Sequence, residues 1–330
     1  MGFADARFMF NRGHFQKIED SPMRDMEPTA HPYGVIGDEK TYTTDWLTDK
    51  TIDFISQPRP NGFCYMVSIP DPHDPCEVRA PYDTLLRAED MPLPATFEQE
   101  ALPDWAEVTR DRGSYPLDDA QRAEKLRRRK ALYFGEVKLI DDSVGRIIDC
   151  LEERGILDET IIVFTTDHGD YMGEHGLSEK NHLYETAYRI PLLVRWPAKI
   201  AAGTVVDGVV STVDFQPTIL SLMGVGPCGR EEGRDGSALL TGQPTDWADE
   251  AFIHHSSLER AGIFTPEFEL ACVKGGEAVL FDRVNDPDQV QNIYDSSDHA
   301  DTARELTERI VQHHRQVKSP ATEWLEAIGR

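Results

Sequence analysis

The sequence predicts an α/β fold: a mixed, largely parallel sheet between helices, followed by a small antiparallel subdomain with a covering helix. Three observations carry this expectation. Short apolar, β-branched runs such as Thr160-Ile161-Ile162-Val163-Phe164 follow helical stretches, the layout of helix-to-strand units. One long segment repeats apolar residues at 3.6-residue spacing, through Tyr133, Val137, Ile140, Val144, Ile147, Ile148 and Leu151. Beyond about residue 225 the pattern changes to short strands joined by turns, among them Gly275-Gly276, a hairpin signal.

In chain order, residues 1–40 read as an irregular, loop-rich segment carrying Phe8, Phe10 and Phe15. Thr43-Thr44-Asp45 can cap a helix running to about Ile55, with Trp46, Ile52 and Ile55 apolar. Phe63 to Ile69 reads as a buried strand ending in the stiff polar turn Pro70-Asp71-Pro72-His73-Asp74-Pro75. Residues 76–117 are rich in proline and acids without periodicity, which predicts a long surface insertion. Asp118-Asp119 caps a helix whose basic run, Lys125 to Lys130, reads as a solvated face balancing acidic neighbours. The strongest helix follows, ended by Gly155, and strands are predicted at 160–164, 190–194 and 205–210. Thr212 or Asp214 caps a short helix through Leu222, stopped by Gly224. Strands at 251–255, 269–274 and 278–282 and a helix from about Asp298 to Val317 complete the chain. No internal repeat is present. The division expected is residues 1–224 as a catalytic α/β domain and 225–330 as the C-terminal subdomain.

With 330 residues the chain can bury a sizeable core, and 39% hydrophobic with 28% charged residues is the composition of a globular domain. No stretch approaches the roughly 18 apolar residues of a membrane span. Met1 to Arg7 lacks the charged-then-apolar layout of a signal peptide and does not read as a natural domain start. Localisation stays open, cytoplasmic if Met1 is the true start. A net charge of −25 argues against nucleic acid as a partner. Lysine is scarce, ten of 34 basic residues. That bias fits either a high-salt cytoplasm or a GC-rich genome, and stability in molar KCl against dilute buffer separates them. Five cysteines, Cys64, Cys76, Cys150, Cys228 and Cys272, are widely spaced with no C-x-x-C, so they read mostly as buried thiols.

The chemistry concentrates in Thr165-Thr166-Asp167-His168-Gly169-Asp170, followed by Gly173-Glu174-His175-Gly176-Leu177 and Lys180. Asp167 and His168 leave a strand at its C-terminal end, where open α/β sheets place ligands. A carboxylate beside an imidazole is half of a divalent-metal site. The competing reading makes Asp167 a cap and His168 a loop histidine. Lys180 adds a fixed cation for a tetrahedral oxyanion, and His73 adds a proton donor for a leaving oxygen. A histidine between prolines is also a common structural residue. His175 reads as supporting or packing.

Asp167-His168-Gly169, Gly173 to Leu177, Lys180, Tyr184-Glu185, Arg189-Ile190-Pro191-Leu192 and Trp196-Pro197 together resemble the second half of the sulfatase family, within the alkaline phosphatase superfamily. Val67 to Pro75 resembles the family's segment bearing a catalytic histidine, and Tyr42 to Asp49 the stretch before it. Leu280-Phe281-Asp282 with Asn285-Asp286-Pro287 and Asn292 is similar to its C-terminal stretch. The resemblance implies an alkaline-phosphatase-like fold truncated at its N-terminal side. It implies that Asp167 and His168 are ligands of a divalent cation, usually calcium. His168 stands where many members carry Asn, and an imidazole widens the choice from Ca2+ or Mg2+ to Mn2+ or zinc. Lys180 would contact the sulfate, and His73 would bind it or protonate the leaving group.

The family's nucleophile is a formylglycine made in a C/S-x-P-x-R motif, and no such motif occurs here. Ser56-Gln57-Pro58-Arg59 places its arginine one residue early, and Cys76-Glu77-Val78-Arg79 lacks the proline as well. The two further metal carboxylates and the Lys-x-His pair of the family's N-terminal part are also not found. The resemblance therefore implies a metal-dependent sulfuric ester hydrolase, inactive as this chain alone, acting on a small-molecule or carbohydrate sulfate ester. A phosphodiesterase or phosphonate monoester hydrolase is the sibling alternative. A non-catalytic pseudoenzyme or binding module is the alternative from another class. Oligomeric state and substrate alcohol are not legible.

Overall fold

The computed structural model describes residues 37–328, apart from positions 114, 117, 228 and 256. The loop expected over residues 1–40 lies almost wholly outside them, as does Cys228. In chain order the elements are α1 (Thr43–Ser56), α2 (Asp104–Arg112), α3 (Arg122–Glu153), β1 (Ile162–Thr165), α4 (Glu185–Tyr188), β2 (Leu192–Arg195), α5 (Phe215–Leu222) and α6 (Ser237–Leu240). Then come β3 (Ala251–His254), β4 (Arg260–Phe264), β5 (Phe268–Val273), β6 (Val279–Asp282), α7 (Ala300–Gln316) and α8 (Thr322–Ile328). They form two compact units, one of residues 37–93 and 120–160, the other of 94–119 and 161–328.

The first unit is built on α1 and α3. The basic run and the periodic helix are one continuous helix of 32 residues, ended at Gly155 with φ +66°. The expected caps do not form: α1 and α3 start after Tyr42 and Gln121, neither with a side-chain cap bond. Thr44 instead donates to the Asp71 carboxylate, and Asp45 takes a two-pronged bond from Arg79 at 2.6 and 2.7 Å. These tertiary partners win because the side chains are buried and charge-matched. The basic run is not simply a solvated face either. Arg129 pairs with Asp74 at 2.7 Å, Lys130 donates to the Pro92 carbonyl at 2.8 Å, and Arg127 donates to that of Met91. Six consecutive helical residues point all around the axis, so some must face inward.

Phe63 to Ile69 is extended, as its composition dictates, but belongs to no sheet among the described residues. Phe63, Tyr65, Val67 and Ile69 are half-buried while Cys64, Met66 and Ser68 are exposed, which corrects the expectation of a buried strand and a buried Cys64. The inner row packs on α1, with Tyr65 and Phe63 at 4.4 and 5.6 Å from the Phe54 ring. Side-chain composition specifies the extended backbone; a ladder needs a neighbour as well.

In the second unit β1 pairs with β2, antiparallel, Ile162 opposite Arg195. The pairing therefore differs from the largely parallel sheet expected: every described strand pair is antiparallel. Nor is β1 buried, since Val163 and Phe164 are exposed. Residues 205–210 form no strand, and Val205 is exposed. The same apolar runs suit either strand direction, so periodicity alone could not choose.

The C-terminal sheet has the order β3-β4-β5-β6, antiparallel throughout. β4 went unpredicted because Arg260-Ala261-Gly262 is poor strand composition. Gly262 is there because an added Cβ would come within 3.0 Å of the Leu270 carbonyl across the ladder. The sheet has two apolar faces. Ala261, Ile263, Leu270, Cys272 and Leu280 pack under α7 and α8 through Leu306, Ile310 and Leu325. Ala271, Val279 and Phe281, on the other face, pack against Tyr171, Leu177, Leu183, Tyr184 and Ala187. The C-terminal sheet is thus the floor on which the Asp167–Lys180 region is laid.

The 76–117 segment is not a surface insertion. Cys76, Glu77, Val78, Phe97, Ala106 and Tyr115 are buried. It contains α2, whose Trp105 stacks on His182 at 5.0 Å.

Candidate functional site

β1 ends at Thr165, and the chain turns immediately. Asp167 Oδ1 accepts the His168 backbone N–H at 3.0 Å. The His168 Nδ1 lies 2.8 Å from the Gly169 carbonyl. A carbonyl can only accept, so Nδ1 carries the proton and Nε2 the lone pair. That Nε2 lies 3.8 Å from Asp167 Oδ2. Two ligand atoms at this spacing, one oxygen and one nitrogen, can converge on a single cation, and this tautomer allows ligation through Nε2. The donor set therefore fits, though only as a pair: no group of three or more His, Cys, Asp or Glu suited to a metal forms among the described residues.

Gly169 fixes the pair to the rest of the unit. Its N–H donates to the Ala187 carbonyl at 2.8 Å, and a Cβ in its place would stand 1.9 Å from the Thr186 carbonyl. Only glycine allows this approach. α4 is held in turn from the C-terminal sheet. Glu185 takes two bonds from Arg283 at 2.9 and 2.8 Å, and its backbone N–H donates to Gln289 Oε1 at 2.7 Å. Gln289 also donates to the wholly buried Glu269, whose carboxyl burial raises well above the usual range. This anchoring was not legible in the sequence, where Glu185 and Arg283 lie 98 residues apart.

Lys180 sits half-buried in a loop of unusual backbone. Met172, His175, Glu179 and Asn181 all have positive φ, 44°, 55°, 65° and 92°. Each such non-glycine residue costs on the order of 1 kcal/mol, and clustering of this kind marks functional loops. Tertiary bonds over-determine the shape. The Tyr171 N–H donates to the Glu179 carbonyl at 3.0 Å, and the Tyr171 hydroxyl both donates to and accepts from the His182 backbone at 2.8 and 2.7 Å. His175 is the packing residue the sequence predicts. It is buried, stacks on Tyr184 at 4.0 Å, and burial lowers its pKa to about 4.

His73 belongs to the first unit, exposed at the tip of its turn. Its Nδ1 lies 2.8 Å from the Asp74 carbonyl, which can only accept, so His73 too carries a proton on Nδ1. Among the described residues no helix is long and apolar enough to cross a membrane.

Comparison with known proteins follows the same lines. The sulfatase family model matches residues 4–225, and the model described as N-sulphoglucosamine sulphohydrolase, C-terminal, matches residues 173–316. The chain is 29% identical to an N-acetylglucosamine-6-O-sulfatase of Bacteroides thetaiotaomicron over 85% of its own length and 62% of that protein. It is 28% identical to an arylsulfatase of Clostridium perfringens, covering 88% of this chain and 61% of the relative. The chain thus spans about three-fifths of the length of these curated relatives. Among solved structures, a protein in complex with its substrate D-glucosamine-2-N,6-O-disulfate superposes with a TM-score of 0.77 at 25% identity, over 85% of this chain and 71% of that one. The phosphonate monoester hydrolase of Agrobacterium radiobacter shares the fold, with a TM-score of 0.72 at 24% identity over 93% and 64% of the two chains. With the alkaline-phosphatase-like fold and the motifs in order, this chain belongs to the sulfatase family of the alkaline phosphatase superfamily.

Proposed function

We propose that the chain carries the metal-pair and anion-binding part of a sulfuric ester hydrolase, with Asp167 and His168 as metal ligands and His73 and Lys180 as the groups that meet the sulfate. The carrying observation is the Asp167 Oδ2 to His168 Nε2 spacing of 3.8 Å, with the imidazole proton parked on Nδ1. A divalent cation bound there, calcium or with this imidazole manganese, would act as a Lewis acid on a sulfuryl oxygen. Lys180 supplies a fixed positive charge for the oxyanion. His73, its Nδ1 tied to a carbonyl, takes or gives a proton through Nε2 and so serves the leaving alcohol oxygen.

This chain has no C/S-x-P-x-R, so it offers no formylglycine site, and its two metal ligands are fewer than a hard cation needs. The reading is therefore of a chain inactive alone, completed by an N-terminal portion in the whole enzyme. The similarity to an N-acetylglucosamine-6-O-sulfatase favours a carbohydrate sulfate ester as substrate. A second reading is phosphonate monoester or phosphodiester hydrolysis by the same site, since a fixed cation and a metal would meet a tetrahedral phosphonate as they would a sulfate, and the fold is one a phosphonate monoester hydrolase shares.

Turnover of an aryl sulfate and an aryl phosphonate by the completed enzyme tests these readings. Faster sulfate turnover, lost with Asp167→Asn or Lys180→Met, is expected. Preference for the phosphonate would transfer the assignment to the sibling activity, and indifference to both substitutions would leave a binding module.

A further inference from the structure

The turn bearing His73 is clamped on both flanks by polar groups buried in the first unit. On the N-terminal flank, Asp71 is bound by the Tyr42 hydroxyl at 3.1 Å and by the Thr44 hydroxyl. On the C-terminal flank, Asp74 is paired with Arg129 at 2.7 Å and approached by the Cys76 thiol at 3.4 Å. One step further, the Glu77 N–H donates to Glu136 Oε1 at 2.8 Å, and the Glu77 carbonyl accepts from Tyr42 at 2.8 Å. Asp71, Cys76, Glu77, Tyr42 and Glu136 are all buried, yet His73 between them is exposed.

A carboxyl in the middle of a helix with no solvent access is costly unless it performs a service. Glu136 Oε2 has no hydrogen-bond partner among the described residues. Burial first, then the nearby Asp71 charge, pushes its pKa far upward, so it is held as the neutral acid. What it does provide is an acceptor for the backbone immediately after the turn. Beside it, Gly135 lets α3 approach until a Cβ would stand 2.5 Å from the Tyr82 carbonyl. Helix and segment are thus docked at van der Waals range where the acceptor sits.

We infer that Glu136 and Tyr42 are positioning residues for His73: they fix the Asp71–Glu77 backbone so that the Asp74 carbonyl meets Nδ1 and sets the tautomer. This rests on His73 being a working residue of the proposed hydrolase, since a merely structural turn would need no set tautomer. The lock itself is independent of turnover.

The test is nitrogen NMR of the histidine rings in the full chain labelled with 15N-histidine, with His73 assigned by the signal missing in His73→Asn. A locked ring gives one pyrrole-like and one pyridine-like nitrogen. Glu136→Leu, which removes the acceptor, is expected to draw the two His73 signals toward a common average, while His254, His313 and His314 in the other unit keep theirs. Glu136→Gln keeps an acceptor oxygen and is expected to keep the split. Tyr42→Phe deletes one hydroxyl without changing shape, and a partial collapse is expected; it decides the matter if Glu136→Leu fails to fold. An unmoved split in Tyr42→Phe and Glu136→Leu would overturn the inference, as would equal collapse in Glu136→Gln. A locked ring whose replacement leaves turnover of the completed enzyme unchanged would instead defeat the catalytic reading of His73 alone.

Discussion

Gly169→Ala is the sharpest test of how the Asp167–His168 pair is held. The new Cβ would stand 1.9 Å from the Thr186 carbonyl oxygen, and contacts below 3.0 Å are not tolerated, so the two must part by about 1.1 Å. That movement breaks the 2.8 Å bond from the Gly169 N–H to the Ala187 carbonyl. Losing the bond costs roughly 0.5–1.5 kcal/mol, and forcing an extra carbon into a packed position about 1–3 kcal/mol. A total of about 1.5–4.5 kcal/mol corresponds to a fall of roughly 3–15 °C in the melting midpoint. Scanning calorimetry measures it, with Gly145→Ala as the control. Gly145 lies in α3 with no atom within 4 Å of its would-be Cβ, so alanine there gains about 1 kcal/mol of helix propensity and raises the midpoint. In the completed enzyme a displacement of this size at the proposed metal pair is expected to lower turnover by about 10²-fold. A Gly169→Ala protein that melts with or above the parent would refute the claim that the glycine is dictated by the approach of α4.

Further expectations concern charge. His175 and His182 are held neutral, burial lowering their pKa values to about 4 and 3, with Arg260 also acting on His182. Because the folded state binds these protons less readily than the unfolded chain, their contribution is complete above the ordinary histidine pKa near 6.5. It is lost as pH falls from there toward 4, at about 1.4 kcal/mol per pH unit for each. Urea midpoints across pH 7.5 to 4 measure this, and His175→Gln should flatten the slope. Arg283→Met removes two bonds from the Glu185 carboxylate, leaving it only the exposed Arg189 at 2.9 Å beside the buried Glu269, and is expected to cost about 1.5–3 kcal/mol. Adding Glu185→Gln should recover part of that in the same urea assay. His168→Ala removes one of the two proposed ligands, so manganese binding measured by electron paramagnetic resonance on the completed enzyme should weaken more than tenfold.

The sequence made the periodic helix of α3, the short α5 with its stop at Gly224, and the helix-covered antiparallel C-terminal sheet legible, because each is written in local periodicity and turn residues. It also exposed the Asp167-His168-Gly169 turn, since carboxylate, imidazole and glycine together have few bland uses. Strand pairing was not legible. Phe63–Ile69, residues 160–164 and residues 205–210 have the same apolar, β-branched composition, yet among the described residues only the second joins a ladder, and that one antiparallel. Partner choice depends on chain segments far away, which composition cannot report. The caps failed for the same reason: Thr44 and Asp45 have helix-start chemistry, but Asp71 and Arg79 outbid the helix for them. The Glu185–Arg283 and Glu136–Glu77 contacts, which hold the two candidate site segments, span 98 and 59 residues and leave no local mark.

The proposed roles of Asp167, His168, Lys180 and His73 require a sulfatase nucleophile that this chain's sequence does not supply. Reading the genomic DNA upstream of the Met1 codon in the same frame tests that claim most directly. An in-frame C/S-x-P-x-R motif with its paired aspartates is the expected result. A stop codon with no such motif ahead of it would contradict the claim, and the four residues would then be binding groups without a reaction to serve.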